Sequence, residues 1–147
     1  MVVISPEEST VWRMMQRAQV RITRRLESEL LGAHDLALAS YDVLLQLSEA
    51  ERWRLRMNDL ADRVLLSRSG LSRLIDRLQR DGLVHREACA DDARGLFAVL
   101  TEIGAVRLAE ATPTYLRGIR AEFLDVLEPE ELAQCSAMLT KILVAPR

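Results

Sequence analysis

Residues 67–83, Ser-Arg-Ser-Gly-Leu-Ser-Arg-Leu-Ile-Asp-Arg-Leu-Gln-Arg-Asp-Gly-Leu, constrain the fold more than any other stretch of the chain. Ser67 can cap a helix start and Gly82 can supply the left-handed residue that stops it. Between them Leu71, Leu74, Ile75 and Leu78 recur at the spacing of one helical stripe, while Arg68, Ser69, Ser72, Arg73, Asp76, Arg77 and Arg80 fall on other faces. One face must be buried, and the rest presents guanidinium forks and hydroxyls. An isolated Arg-rich helix face is more often simply solvated, so the flanking sequence decides what this one does.

Upstream, Trp53-Arg54-Leu55-Arg56-Met57 alternates apolar and charged residues over too few positions for a helix and predicts a short strand. Residues 58–65 follow as a short helix with Leu60, Ala61 and Val64 inward. A short helix, a brief turn and a capped amphipathic helix make a helix-turn-helix, whose second helix can enter a major groove. Downstream, residues 83–87 and 96–100 predict two strands around a polar loop, residues 88–95, which carries Arg94 near its tip and Asp92 two residues before it. Longer helices bracket this middle. Residues 5–8, Ser-Pro-Glu-Glu, combine a cap, a first-turn proline and a glutamate three residues on. They start a helix of about 25 residues that stops near Gly32. A second helix covers residues 39–48. Thr101 caps a helix reaching residue 127, with a kink expected at Pro113. Residues 128–131, Glu-Pro-Glu-Glu, start a last helix whose Leu132, Cys135, Leu139, Ile142 and Leu143 form an apolar stripe.

A chain of 147 residues with 49% apolar and 29% charged residues is long enough and apolar enough to bury a core. Its net charge of -2 argues against a nucleic-acid partner only if charge is spread evenly, and it is not. Residues 52–94 hold ten arginines against seven acids, a surplus of three, which leaves the remainder at -5. A basic middle between acidic flanks is a local electrostatic footprint. Nineteen of the twenty basic residues are arginine, which suits bidentate contacts to phosphate or guanine, although a GC-rich genome gives the same bias.

The two cysteines, Cys89 and Cys135, have no CxxC spacing and no histidine pair, so neither a disulfide framework nor a metal site is expected. No cofactor is expected either. The N-terminus lacks the apolar core of a signal peptide and no apolar run approaches a membrane span, which makes reduced cytoplasm the default and excludes a membrane partner. His34 and His85 have no partner at motif spacing. With no GxSxG, P-loop or Rossmann fingerprint present, the expectation is that the chain is not an enzyme.

The order of strand, helix, turn, helix and hairpin, bracketed by long helices from both ends, resembles the winged helix-turn-helix regulators of the MarR family. The likeness rests on Tyr41-Asp42-Val43-Leu44 in the second helix and Asp59-Leu60-Ala61 in the third. It rests also on residues 66–78 in the fourth, and on Asp92-Ala93-Arg94-Gly95 followed by Leu100-Thr101 in the wing. It implies a mainly α fold with a small β-wing. A winged helix-turn-helix domain over residues 36–101 would join a helical dimerisation region built from residues 5–35 and 102–147. It also implies a homodimer that binds double-stranded DNA at a pseudo-palindromic operator, most often as a ligand-responsive repressor. Carried over by position, Ser67, Arg68, Ser69, Ser72, Arg73 and Arg77 would lie at the major groove. Arg94 would probe the minor groove, with Asp92 orienting it. Asp76 is expected to orient Arg73 or Arg77 rather than read a base, because a carboxylate repels phosphate. Arg54 and Arg56 fit a phosphate contact and a solvated strand face about equally.

Two positions depart from the family pattern: Leu65-Leu66 stand where the turn often has glycine, and Arg56 stands where many relatives carry a capping Ser or Thr, so that either Asn58 caps instead or nothing does. Relatives also bind a small anionic or aromatic molecule between the dimer body and the winged domain. Trp12, Arg13, Arg17, His34 and Tyr41 offer aromatic faces and positive charge from the corresponding segments. For any single one of them the plainer role is the better expectation, with Trp12 and Tyr41 filling the dimer core and His34 in a loop. Thiol-sensing relatives carry their reactive cysteine near the start of the first helix, where this chain has none. A dimeric interaction or small-molecule-sensing protein on the same fold that binds no DNA is the alternative, and the basic middle and Arg94 speak against it.

Overall fold

The computed structural model describes residues 1–146, apart from the side chains of Asp92 and Ala93. Six helices and three strands follow in the order α1 (Pro6–His34), α2 (Leu38–Glu49), β1 (Arg54–Arg56), α3 (Met57–Val64), α4 (Arg68–Arg80), β2 (Val84–Cys89), β3 (Asp92–Leu100), α5 (Glu102–Glu122) and α6 (Pro129–Val144). The chain divides into two compact units, Leu30–Thr114 and Met1–Glu29 with Tyr115–Arg147. The first of these, which holds the helix-turn-helix and the sheet, is the winged unit. Among the described residues no helix is long and apolar enough to cross a membrane.

In the winged unit β1, β3 and β2 form an antiparallel sheet in that order, with Arg54 opposite Val99 and His85 opposite Val99 on the other side. Its core is built from one stripe of each element: Tyr41, Val43, Leu44 and Leu47 of α2, Leu60 and Ala61 of α3, Leu71, Leu74, Ile75 and Leu78 of α4, and Val84, Ala98 and Leu100 of the sheet. The hairpin differs from expectation. The strands run on to a two-residue connection, Ala90-Asp91, and Arg94 lies within β3 rather than at a loop tip. The run 88–95 concealed this, because apart from buried Cys89 its described side chains largely meet water and do not alternate apolar with polar.

The Leu100-Thr101 pair has a local cause. The Thr101 hydroxyl donates to the Gly82 carbonyl at 2.7 Å and accepts from the Gly104 amide at 3.0 Å, while the Thr101 amide donates to the Leu83 carbonyl at 3.1 Å. One residue thus caps α5 and ties its start to the stop of α4, where Gly82 holds the left-handed φ of 75°. Gly104 belongs to the same joint, since a Cβ there would strike the Leu83 carbonyl oxygen. α5 continues through Pro113 and ends at Glu122, short of residue 127, and a 3-10 turn at Leu124–Val126 fills the interval.

In the other unit, Ser5 and Glu8 form the capping box that starts α1, with the Glu8 amide donating to Ser5 Oγ at 3.1 Å. Leu26 is buried, and Arg21 and Arg25 reach Glu122 at 3.5 and 3.9 Å. Glu128 and Glu131 close a second capping box at the start of α6, whose apolar stripe buries no residue.

Candidate nucleic-acid interface

The helix-turn-helix starts from a helix without a side-chain cap. Arg56 occupies the N-cap of α3 and makes no capping bond, so Asn58 does not take that role either. The turn is closed by Leu65 in the left-handed conformation, φ 57° and ψ 37°, its amide bonded to the Ala61 carbonyl. α4 is capped as its sequence predicts, with Ser67 Oγ accepting from the Gly70 amide at 3.0 Å.

Burying Leu71, Leu74, Ile75 and Leu78 leaves Ser67, Arg68, Ser69, Ser72, Arg73, Arg77 and Arg80 exposed. Arg68, Ser72, Arg73, Arg77 and Arg80 border two adjoining concavities, whereas Ser67 and Ser69 border neither. Arg73, Asp76, Arg77, Gln79 and Arg80 line a groove along α4, while Arg68 and Ser72 meet Arg56, Asn58, Arg94 and Gly95 in a cleft between α4 and the wing. Arg68, Ser72 and Arg94, far apart in sequence, therefore share one site. Asp92's proposed role toward Arg94 lies outside the described side chains.

Arg86 borders both concavities and was not singled out in the sequence. Its guanidinium meets Asp76 at 2.8 Å and donates to the Gln79 side chain at 3.1 Å and the Ser72 carbonyl at 3.1 Å. Asp76 accordingly pairs with the wing strand, not with Arg73 or Arg77 as expected from its own helix. The signal available was a strand arginine two residues beyond buried Val84, on the same sheet face.

Arg54 and Arg56 flank the Phe97 ring at 4.5 and 5.6 Å from its centroid, and Arg54 also meets Glu87 at 3.5 Å. Glu87 is held below the usual carboxylate range by its hydrogen bond from His85, with Arg54 adding to the effect. Arg54 thus sits on the outer sheet face, and Arg56 alone of the pair also borders the cleft.

The model of the MarR family matches residues 34–95. An HTH-type transcriptional regulator of Bacillus cereus is 30% identical over 138 residues, covering 92% of this chain and 90% of its own. AbsC, a MarR family transcriptional regulator from Streptomyces coelicolor, is 36% identical in sequence and superposes with a TM-score of 0.90 over 97% of this chain and 96% of its own. The chain belongs to the MarR family. A second MarR regulator of S. coelicolor, Sco3205, solved in complex with DNA, is 31% identical with a TM-score of 0.92 over 97% of this chain and 90% of its own. The chain is thus a DNA-binding transcriptional regulator of that family, with α4 as the second helix of its winged helix-turn-helix.

The five residues expected at a MarR ligand pocket are distributed over both units. Trp12, Arg13 and Arg17 are exposed on α1. Tyr41 fills the core of the winged unit, its hydroxyl 3.2 Å from that of Thr112, and burial raises its pKa. His34 is the last residue of α1 rather than part of a loop, with Nε2 2.8 Å from the Thr114 hydroxyl and its carbonyl accepting from Arg107. Cys89 is buried, and Cys135 is half-buried on α6.

Proposed function

We propose that the protein binds a pseudo-palindromic operator as a homodimer and represses transcription until a small anionic or aromatic ligand alters the separation of its two α4 helices, acting in the cytoplasm where its DNA lies. The observation that carries this reading is the convergence of Arg68, Ser72 and Arg94 on one cleft beside a helix whose outer face is arginine and serine. An α-helix fits the major groove, and arginine is favoured in a narrow minor groove by its concentrated negative potential. α4 therefore reads base edges with Arg73 and Arg77, while Arg94 enters the flanking minor groove. Arg56 and Arg68 in the cleft between them are placed to hold the phosphate backbone where it passes from one groove to the other.

Support for DNA as partner comes from Sco3205, whose structure contains it. Support for the dimer comes from the apolar side chains that the chain leaves exposed, among them Val11, Trp12, Met14, Leu139, Ile142 and Leu143. Two copies would place their α4 helices in successive major grooves, so half-sites should lie roughly 10 bp apart.

A gel shift on the protein's own upstream region, repeated across salt concentrations, tests the reading. Arg94→Ala should weaken binding to every sequence and reduce the salt slope by about 1. Arg73→Ala should cost about 1–3 kcal/mol and relax preference at one base position. A wild-type protein with no salt-dependent shift on any duplex would favour the interaction-protein alternative.

A further inference from the structure

Arg86 belongs to the wing, yet its side chain is spent on α4. It stands in β2 with its side chain 21% exposed, and its guanidinium contacts Asp76, Ser72 and Gln79. Nη2 lies 2.8 Å from Asp76 Oδ1, 3.1 Å from the Ser72 carbonyl and 3.4 Å from the Ser72 hydroxyl, and Nη1 lies 3.1 Å from Gln79 Oε1. Positions 72, 76 and 79 are one stripe, so the fork grips two turns of helix from the side. A carbonyl has two lone pairs, so Ser72 can accept from Arg86 and still serve the helix ladder.

Each gripped residue is followed at once by an exposed arginine: Arg73 after Ser72, Arg77 after Asp76 and Arg80 after Gln79. The direction in which that basic stripe points is therefore set by the grip. With side chains reaching about 5–6 Å from a helix axis, a roll of about 20° would carry the stripe roughly 2 Å, enough to break a bidentate contact to a base. The pairing also governs charge. Asp76 has a side chain 58% exposed and stands between Arg73 and Arg77, where an unpaired carboxylate would repel phosphate.

We propose that Arg86 is the positioning residue that sets the roll of α4 against the wing and offsets the charge of Asp76, so that Arg73 and Arg77 meet base edges in register with Arg94. The role rests on the DNA reading proposed above, and it needs arginine. Lysine keeps the charge, but a single ammonium on a flexible stem cannot reproduce a planar fork with three receivers.

The experiment begins with enrichment of a random duplex pool on the full-length wild-type protein. The affinities of wild type, Arg86→Lys and Asp76→Asn are then measured for the enriched duplex and for a scrambled duplex of equal length, across salt and beside thermal melts. Arg86→Lys should bind the scrambled duplex within about twofold of wild type, keep its salt slope, and lose about tenfold on the enriched duplex, which corresponds to one charged hydrogen bond. Asp76→Asn should bind scrambled DNA more tightly and discriminate less, a combination that mere loss of folded protein does not produce. An Arg86→Lys protein with undiminished discrimination overturns the positioning role. If that variant melts below the assay temperature, Asp76→Asn decides, and discrimination equal to or above wild type overturns it. Failure of the wild type to enrich any sequence sinks the DNA reading and this role with it, whereas wild-type enrichment matched by both variants sinks this role alone.

Discussion

Leu65 holds a left-handed backbone at φ 57° with a side chain that is 90% exposed. The conformation costs an L-residue about 1–2 kcal/mol, and the exposed side chain returns little of it by burial. Glycine removes that cost but loses roughly 0.5–1 kcal/mol more in chain entropy. Leu65→Gly should therefore stabilise the winged unit by about 0.5 kcal/mol, visible as a raised denaturant midpoint, and a lowered midpoint would mean that the turn is not left-handed. Asp42 makes the second prediction at this scale. Burial in α2 pushes its carboxyl above the usual range. Below the unfolded-state carboxylate pKa both states hold the proton and no penalty arises. As pH rises through the raised folded-state pKa, the folded protein must carry a desolvated charge, and stability falls. Asp42→Asn should flatten that part of the stability profile and raise the thermal midpoint at neutral pH; an unchanged profile would show that Asp42 is solvated in the folded protein.

Among elements, α4 carries a structural duty and the proposed DNA-reading duty, and the two meet at Ser67. Its hydroxyl caps the helix, and Ser67→Ala should cost about 1 kcal/mol. Ser67→Asp keeps the cap and favours the helix dipole, yet turns a negative charge toward the DNA. It should hold the thermal midpoint of the wild type while lowering DNA affinity, and equal losses in both would deny Ser67 a place at the interface. The structural duty was legible in the sequence because it depends on neighbours within one helix: the cap, the buried stripe and the glycine stop all fall within residues 67–83. The capping boxes at Ser5 and Glu128 were legible for the same reason. What crosses between elements was less so. The Arg86 grip requires knowing that β2 lies against α4, and nothing in the spacing of residues 72, 76, 79 and 86 announces it. Leu65, and likewise Arg52 and Trp53 with φ of 57°, adopt left-handed backbone without the glycine that would have signalled it. Arg54 and Arg56 looked equivalent on an alternating strand and both flank Phe97; only the fold shows that Arg56, at the start of α3, borders the cleft and Arg54 does not.

For the molecule as a whole, the contrast between its units matters most. The winged unit has a core drawn from α2, α3, α4 and the sheet, whereas α6 ends the chain with Leu139, Ile142, Leu143 and Val144 exposed. Deleting residues 129–147 should abolish the proposed dimer, read as halved mass by light scattering, and a deletion variant that remains dimeric would refute a dimer body built on α6. A helix with no fully buried residue, exposing so much apolar surface, would also make the folded state of the proposed dimer a matter of abundance. In the proposed dimer, assembly would supply part of the stability, so the thermal midpoint should climb with protein concentration. In a cell the same dependence has a genetic face: a copy with an altered α4 but an intact α6 would draw normal chains into mixed pairs bearing one working head. Lesions in the reader would then act dominantly, and lesions in α6 recessively.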